Sequence, residues 1–271
     1  MSETFWDIAL KNMSEITYKL LGHPLQNVQP RQQAGVFFAI RTTRRNVALT
    51  ALFRQYLYSE SLPIIRRAYE DWIILSYILN EKGSKRWIEY RTEEHKMDAK
   101  VYKSFFKLTN EIATKKVFGK PPRYTLKWLD KPTRNLKPWG GKTLRDMADE
   151  VGLVKVHDFA YTYLSYMTHG CYKDFSYLFR QKNNALKANV PEHDPLEETH
   201  WGTWIWWFHL RILTLAGREF GYDFEPYSDF LLNLVEEIKG KDALATCIMQ
   251  REKNQCREKG SGSSIQVFLL C

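Results

Sequence analysis

Residues 159–172 form an uncharged run that is not simply apolar, and this run limits the folds open to the chain. No Asp, Glu, Lys or Arg occurs in it, yet hydroxyl groups and His169 alternate with aromatic rings. On a helix, one face is apolar and comprises Ala160, Tyr163, Leu164 and Met167, at the spacing i, i+3, i+4, i+7. The opposite face carries Asp158, Thr162, Ser165 and His169. A solvent-facing stripe would normally hold Lys or Glu, so the pattern predicts a helix covered on both sides, whose polar groups need internal partners.

The rest of the chain also shows helical periodicity, with no strand pattern of useful length. Helices are predicted over residues 2–21, 32–58, 62–79, 84–117, 196–220 and 227–239, and a polar loop over residues 183–195. Ser59 or Ser61 should cap the third helix. Thr143 and Asp146 have the spacing of a capping box, which predicts a short helix that stops at Gly152. The fold class is therefore all-α, a multi-helix bundle.

The domain organisation follows from where these patterns end. We predict one helical domain over residues 1–240, with a basic, proline-rich insert at about residues 115–142, and a charged, poorly ordered tail over residues 241–271. Four tryptophans at helical spacing near the end of the domain should pack in its core, and these are Trp201, Trp204, Trp206 and Trp207.

Composition restricts the environment of the chain. With 44% hydrophobic and 26% charged residues, it has the balance of a soluble globular protein, and no apolar run reaches the length of a membrane span. The four cysteines are scattered, none forms a CxxC pair, and no signal peptide opens the sequence. We therefore expect free thiols, a cytoplasmic location and no membrane partner.

The net charge of +9 is concentrated in residues 115–145, where ten Lys and Arg residues accompany a single acid, Asp130. Trp and Tyr side chains are interleaved with these charges. Cations that meet phosphates and rings that stack on bases are typical of single-stranded nucleic-acid binding. The candidate binding residues are Lys120, Arg123, Lys127, Trp128, Lys131, Arg134 and Lys137. The alternative is a solvated basic loop that its tryptophans anchor to the core.

Ser165 and His169 share a helix face, with Asp158 two turns before Ser165. A hydrolase triad is disfavoured, because catalytic serines usually sit on an exposed, strained turn and no G-x-S-x-G motif is present. A metal site is also disfavoured, because His157 and His169 have no carboxylate at HExxH spacing. We expect neither a metal nor another cofactor. A structural role for His169, as a buried and hydrogen-bonded histidine, is the simplest alternative.

A third interpretation makes His169 a general acid or base beside a bound phosphodiester. The developing charge on the phosphate would then need a cation, which Arg66 or Arg67 of the third helix could supply. The alternative is that these arginines only pair with Glu70 and Asp71, each four residues further along the helix.

Three segments carry a resemblance to a known family. They are WGGKTLRDMADEVGL, the YTYLSYMTHG that follows, and RRAYEDWIILSYIL in the third helix. They resemble a bacterial all-helical family of unassigned function that is placed among the HEPN-like proteins, over roughly residues 30–235. HEPN proteins are commonly helical bundles, and many are metal-independent RNases of toxin–antitoxin, abortive-infection or CRISPR-linked systems. Their motif is an arginine, four to six residues, then a histidine.

His169 matches the histidine of that motif, but Thr162, Tyr163 and Leu164 occupy the positions of the arginine. Arg66, Arg67 or Arg180 would have to replace it. The resemblance thus implies a protein that binds RNA or a nucleotide and is a candidate metal-independent endoribonuclease of a prokaryotic defence or toxin system.

In that interpretation His169 is the acid/base, Ser165 or Tyr163 orients it, and Arg66, paired with Glu70, contacts phosphate. An antitoxin or another component of the defence system would be the protein partner. The alternative function is a non-catalytic interaction protein that forms a homodimer.

Overall fold

The computed structural model describes residues 5–22, 27–80, 83–108, 126, 129, 141–168, 179–182, 185–188, 195–227, 229–230 and 233. The helices with defined bounds are α1 (Phe5–Leu21), α2 (Pro30–Arg54), α3 (Leu62–Leu79), α4 (Gly83–Leu108), α5 (Leu144–Glu150), α6 (Val154–Thr168) and α7 (Pro195–Arg218). One turn of 3-10 helix, Ser59–Ser61, precedes α3. The predicted all-α class is confirmed, because the described part of the chain is predominantly helical.

Among the described residues, a short antiparallel hairpin departs from the helical pattern. Its strands are β1 (Phe179–Lys182) and β2 (Ala185–Ala188), with Phe179 opposite Ala188. The prediction of a loop over residues 183–195 is therefore wrong for Ala185–Ala188, which form β2. Four-residue strands are too short to show a clear alternation in the sequence, which is why they were not predicted.

Helix α2 begins two residues earlier and ends four residues earlier than predicted. Pro30 occupies its first turn, and the Gln32 side chain accepts a hydrogen bond from the Gln29 backbone N–H at 2.9 Å. At the other end, the Gln55 N–H bonds the Leu52 carbonyl and Tyr56 adopts a φ of 58°. This left-handed residue ends the helix.

Two predicted caps differ in outcome. The Thr143 capping box is confirmed: the Thr143 N–H donates to Asp146 Oδ2 at 2.7 Å, and the Asp146 N–H donates to Thr143 Oγ1 at 3.1 Å. The serine cap of α3 is wrong. The Ser61 hydroxyl donates to the Tyr58 carbonyl, inside the 3-10 turn, so it does not satisfy an N–H of α3.

Helix α3 lies at the centre of the fold and packs against α2, α4, α5, α6 and α7. Ile65, Ile73, Leu75 and Ile78 are fully buried on it. Helix α7 is the other main core element. The prediction for the four tryptophans, Trp201, Trp204, Trp206 and Trp207, is confirmed, since none is more than 3% exposed.

Helix α6 is buried on one face only. Ala160, Leu164 and Met167 lie in the core as predicted, but Asp158 and Thr162 are exposed. The prediction of burial on both sides is therefore wrong for these two residues. Asp158 can face solvent because Arg145 of α5 pairs with it there, with Nε 2.8 Å from Oδ1.

Several predicted boundaries fall partly outside the described residues. Helix α4 is described to Leu108, against a predicted end at residue 117. Within the predicted helix over residues 227–239, residues 227, 229, 230 and 233 are described and are helical. The predicted division into a domain over residues 1–240 and a tail stays a prediction.

Candidate functional site

A cluster of polar side chains joins α3 to the C-terminal end of α6. The Arg66 guanidinium donates to the Thr168 hydroxyl from Nη1 at 3.3 Å and to the Tyr161 hydroxyl from Nη2 at 3.2 Å. Its Nε lies 3.3 Å from Glu70 Oε1, and its Cζ lies 5.0 Å from the centre of the Tyr161 ring. We call these four residues the Arg66 cluster. Arg66 is 20% exposed, so solvent still reaches the guanidinium.

Helix geometry brings the members of the Arg66 cluster together. Arg66 and Glu70 lie one turn apart on α3, and Tyr161 and Thr168 lie two turns apart on α6, so each pair shares a face. Thr168 also donates its hydroxyl hydrogen to the Leu164 carbonyl at 2.8 Å, which directs its oxygen lone pairs to Arg66. The cluster therefore ends at the last residue of α6, directly before His169 in the sequence.

A buried histidine lies next to this cluster. The Tyr69 hydroxyl and His157 Nδ1 are 2.6 Å apart, and the His157 ring stacks on the Tyr161 ring with centroids 5.0 Å apart. Burial lowers the pKa of His157 and raises the pKa of Tyr69. A neutral imidazole whose Nδ1 accepts a hydrogen bond from the Tyr69 hydroxyl fits both pKa shifts. Sequence reasoning considered His157 only as a metal ligand, because its partner Tyr69 is 88 residues away.

A second cluster surrounds Asp71 where α2, α3 and α4 meet, and we call it the Asp71 cluster. Asp71 is completely buried, with Oδ2 2.6 Å from Arg45 Nη2 and 3.2 Å from Arg41 Nε. The predicted Arg67–Asp71 pair is present, with Arg67 Nε 3.7 Å from Oδ1. Arg41 also donates from Nη1 to the Tyr90 hydroxyl at 2.9 Å. Sequence reasoning missed the roles of Arg41, Arg45 and Tyr90, because no local spacing links them to Asp71.

Glu70 connects the two clusters along α3. One carboxylate oxygen faces Arg66, and the other lies 2.8 Å from Arg67 Nη1. The predicted Arg66–Glu70 pair is therefore present, but Glu70 is shared between two arginines. Four arginines in the two clusters have two carboxylates among them, which leaves a local excess of positive charge at the surface of α3.

Behind the Asp71 cluster, His209 of α7 is fully buried. Burial, and then the nearby charge of Arg45, lower its pKa to about 3. Neither ring nitrogen has a hydrogen-bond partner among the residues that the structure describes. His209 is therefore neutral at physiological pH.

The other predicted site residues on α6 lie elsewhere. Tyr163 is directed at α7: its hydroxyl lies 3.2 Å from His200 Nε2, and its ring stacks on Trp201 and Trp204. Ser165 is half-buried, and its carbonyl accepts a bond from Thr168 at 3.2 Å. Asp158 pairs with Arg145, which removes it from the triad that the sequence had already disfavoured.

The remaining candidate residues lie outside the described part of the chain, so their roles stay predictions. These are His169 and the basic-segment residues Lys120, Arg123, Lys127, Trp128, Lys131, Arg134 and Lys137. Two basic residues from the end of that segment are described. Lys142 pairs with Glu150 and Arg145 pairs with Asp158, so both have acidic partners.

Within the described ranges, no group of three or more His, Cys, Asp or Glu side chains could hold a metal ion. None of the described helices combines enough length with enough apolar character to cross a bilayer.

Comparison with known proteins places the chain in a family. No curated protein and no solved structure matches it. Residues 34–186 match a protein family described as "Family of unknown function (DUF5677)". The matched range includes both the Arg66 cluster and the Asp71 cluster, and it covers more than half of the sequence. The chain therefore belongs to the family of unknown function DUF5677.

Proposed function

We propose that the chain is a HEPN-like helical protein that binds RNA and cleaves it without a metal ion, as an effector of a prokaryotic defence or toxin system. The observation that carries this proposal is the contact between Arg66 and Thr168. It brings a cation from α3 to the residue that directly precedes His169. The HEPN-like resemblance supplies the reaction class, and the Arg66 cluster supplies the charged group that the motif lacks on α6.

The proposed chemistry needs two groups beside one phosphodiester. A base removes the proton of the ribose 2′-hydroxyl, whose oxygen attacks phosphorus, and an acid gives a proton to the departing 5′-oxygen. His169 would first act as the base that takes the proton of the 2′-hydroxyl and then as the acid that gives a proton to the 5′-oxygen. Arg66 would stabilise the negative charge that develops on the phosphate oxygens. This role suits Arg66, because it is held by Glu70, Tyr161 and Thr168 and is still open to solvent.

The position of Arg66 also explains how the missing motif arginine could be replaced. The motif arginine would occupy one of three positions on α6. Thr162 there is exposed but uncharged, Tyr163 packs against α7 and Leu164 is fully buried, so none of them presents a cation. A neighbouring helix can supply the same charge, since stabilisation depends on where the guanidinium lies and not on its position in the chain. Glu70 does not neutralise Arg66 completely, because it also pairs with Arg67.

Cleavage of labelled total RNA in EDTA tests the proposal. We would compare the unaltered protein with His169→Ala, with Arg66→Gln and with the control variant Arg145→Gln, which removes an exposed arginine of α5. Matching helical circular dichroism must first show that all four proteins fold. Activity that persists in the control and disappears in the other two variants would support the proposal. No cleavage by the unaltered protein, or equal cleavage by all four, would overturn it.

The alternative is a non-catalytic protein that self-associates, and one feature favours it. Ile40 and Val47 lie two turns apart on one face of α2 and are 38% and 71% exposed. Apolar side chains in such a row are candidates for an interface between subunits. Self-association that does not depend on salt would favour this alternative, whereas RNA affinity that falls steeply with salt would favour the RNase.

A further inference from the structure

We propose that the Asp71 cluster binds a phosphomonoester, with one phosphate group seated between the guanidinium groups of Arg41 and Arg67. This site lies on the α2–α4 side of α3 and is joined to the Arg66 cluster through Glu70, and the inference goes beyond the RNase function. It rests on the charge balance, the free donor atoms and the rigidity of the cluster.

The charge balance favours a dianion. Arg41, Arg45 and Arg67 all point at the single carboxylate of Asp71, so the group has an excess of two positive charges. Two other carboxylates act nearby. Glu70 pairs with Arg67 but is shared with Arg66, and Glu94 of α4 acts on the Tyr90 hydroxyl. This excess stays at two when Arg66 and Glu70 are counted with the cluster, and it falls to one when Glu94 is counted as well. A phosphomonoester carries a charge of about −1.5 to −2 near pH 7.

The guanidinium groups form a gradient from the core to the surface. Arg45 is 13% exposed, Arg41 is 25% exposed and Arg67 is 48% exposed, while Asp71 beneath them has no exposure. A ligand that approaches from solvent therefore meets Arg41 and Arg67 first. Arg45 lies deeper, paired with Asp71, and its charge adds to the positive potential at Arg41 and Arg67.

Arg41 and Arg67 also retain donors. Within the described part of the chain, the polar contacts of both arginines use Nε and Nη1. Neither Nη2 atom forms a hydrogen bond with a described residue. Arg41 and Arg67 can each therefore donate from Nη2 to a phosphate oxygen without giving up a contact within the cluster.

The two arginines are fixed before a ligand arrives. Arg41 is held by Asp71 and the Tyr90 hydroxyl, and its Cζ lies 5.4 Å from the centre of the Phe37 ring. Arg67 is held by Asp71 and Glu70. Side chains that are already ordered lose little entropy when they bind, so the affinity of the pair for phosphate should exceed that of solvated surface arginines.

Binding of inorganic phosphate, measured by isothermal titration calorimetry at constant ionic strength, tests the proposal. We would use the unaltered protein, Arg67→Gln, Arg41→Gln, and Arg44→Gln as a matched control on the exposed side of α2. Arg67→Gln and Arg41→Gln should each lose a charge-assisted hydrogen bond to phosphate, so their affinity should fall by about tenfold to a hundredfold, whereas the affinity of Arg44→Gln should stay unchanged. Equal affinity in all four proteins, or no measurable binding by the unaltered protein, would overturn the proposal.

Half of the Arg67 side chain is exposed, so Arg67→Gln should fold even if Arg41→Gln does not. Circular dichroism decides whether Arg41→Gln is used.

A second comparison identifies the source of the phosphate. A nucleoside 5′-monophosphate should bind more tightly than a dinucleoside monophosphate, which has only a singly charged diester. Equal affinities would overturn the assignment to a monoester and point to a polynucleotide backbone. His169→Ala should keep its phosphate affinity, so failure of the RNase proposal can be told apart from failure of this one.

Discussion

The Arg45 guanidinium on α2 donates to the Asp71 carboxylate on α3 at 2.6 Å, and this carboxylate has no contact with solvent. The bond connects two helices through a charged pair inside the fold. Arg41 and Arg67 surround the same carboxylate, so Asp71 holds three cations in place. Asp71 thus contacts cations from both α2 and α3, and Arg41 extends the network to Tyr90 of α4.

Replacing Asp71 by asparagine should destabilise the protein strongly. The substitution keeps the size of the side chain but leaves Arg45 buried without a counter-charge, so we expect the free energy of unfolding to fall by about 3–5 kcal/mol. Urea unfolding followed by circular dichroism measures it. The control is Asp158→Asn, whose ion pair with Arg145 is exposed and should matter far less. A similar, small loss in both variants would contradict the structural role of Asp71.

His209 should make the protein less stable in acid. The pKa of His209 is about 3 in the folded state, against an ordinary value of 6.5, so the unfolded chain binds a proton that the folded protein excludes. Above pH 6.5, His209 does not reduce the free energy of unfolding. Between pH 6.5 and 3, this free energy falls as the pH drops, with a slope approaching about 1.4 kcal/mol per pH unit.

The variant His209→Leu isolates this effect. It removes the titrating group, so its free energy of unfolding should depend less steeply on pH than that of the unaltered protein. Urea unfolding at several pH values between 7 and 4.5 gives both slopes. Carboxylates affect the two proteins equally, and therefore parallel curves would show that His209 is not the cause.

The contact between α2 and α7 leaves no room at Gly35. A Cβ atom added there would lie 3.1 Å from the Ala216 Cα and 3.3 Å from its Cβ. We expect Gly35→Val to lower the free energy of unfolding by about 1–3 kcal/mol, because backbone has to move to admit the side chain. Ala48→Val, at an exposed position of the same helix, is the control for a valine that meets no neighbouring helix. Equal losses in the free energy of unfolding for both variants, measured in urea, would show that the contact between α2 and α7 can admit a side chain at residue 35.

The basic segment should contribute to RNA affinity without contributing to stability. Reversing two charges with Lys127→Glu and Lys131→Glu should weaken RNA binding and reduce its dependence on salt, because fewer counterions are released. Filter binding at several salt concentrations measures this, and the melting temperature should stay unchanged. Lys100→Glu with Lys107→Glu, at exposed positions of α4, makes the same change in net charge. A lower melting temperature for the first pair would mean that the basic loop is structural.

The predictions that succeeded were those with local signals. The bounds of α3 follow from an apolar run, although its serine cap was wrong, and the start of α5 follows from Thr143 and Asp146, which are three residues apart. The burial of the four α7 tryptophans likewise follows from the composition of one helix. Such features depend on neighbours within a few residues, and sequence periodicity reports them directly.

The features that sequence analysis missed depend on distant neighbours. Asp71 and Arg45 are 26 residues apart, and Tyr69 and His157 are 88 residues apart, so no spacing rule connects them. The exposure of Asp158 was mispredicted for the same reason, since its partner Arg145 lies on another helix. Of the candidate site, the Arg66–Glu70 pair could be predicted, but the contact of Arg66 with Thr168 could not.

The packing of α7 against α2 has a consequence for biosynthesis. The bidentate bond between Arg31, at the start of α2, and Glu219, just after α7, joins residues 188 positions apart. While the ribosome is still translating the segment before α7, the apolar faces of α2 and α3 have no α7 to cover them. Nascent chains at that stage should depend on chaperones, and synonymous codons that slow translation before residue 195 should increase aggregation in the cell.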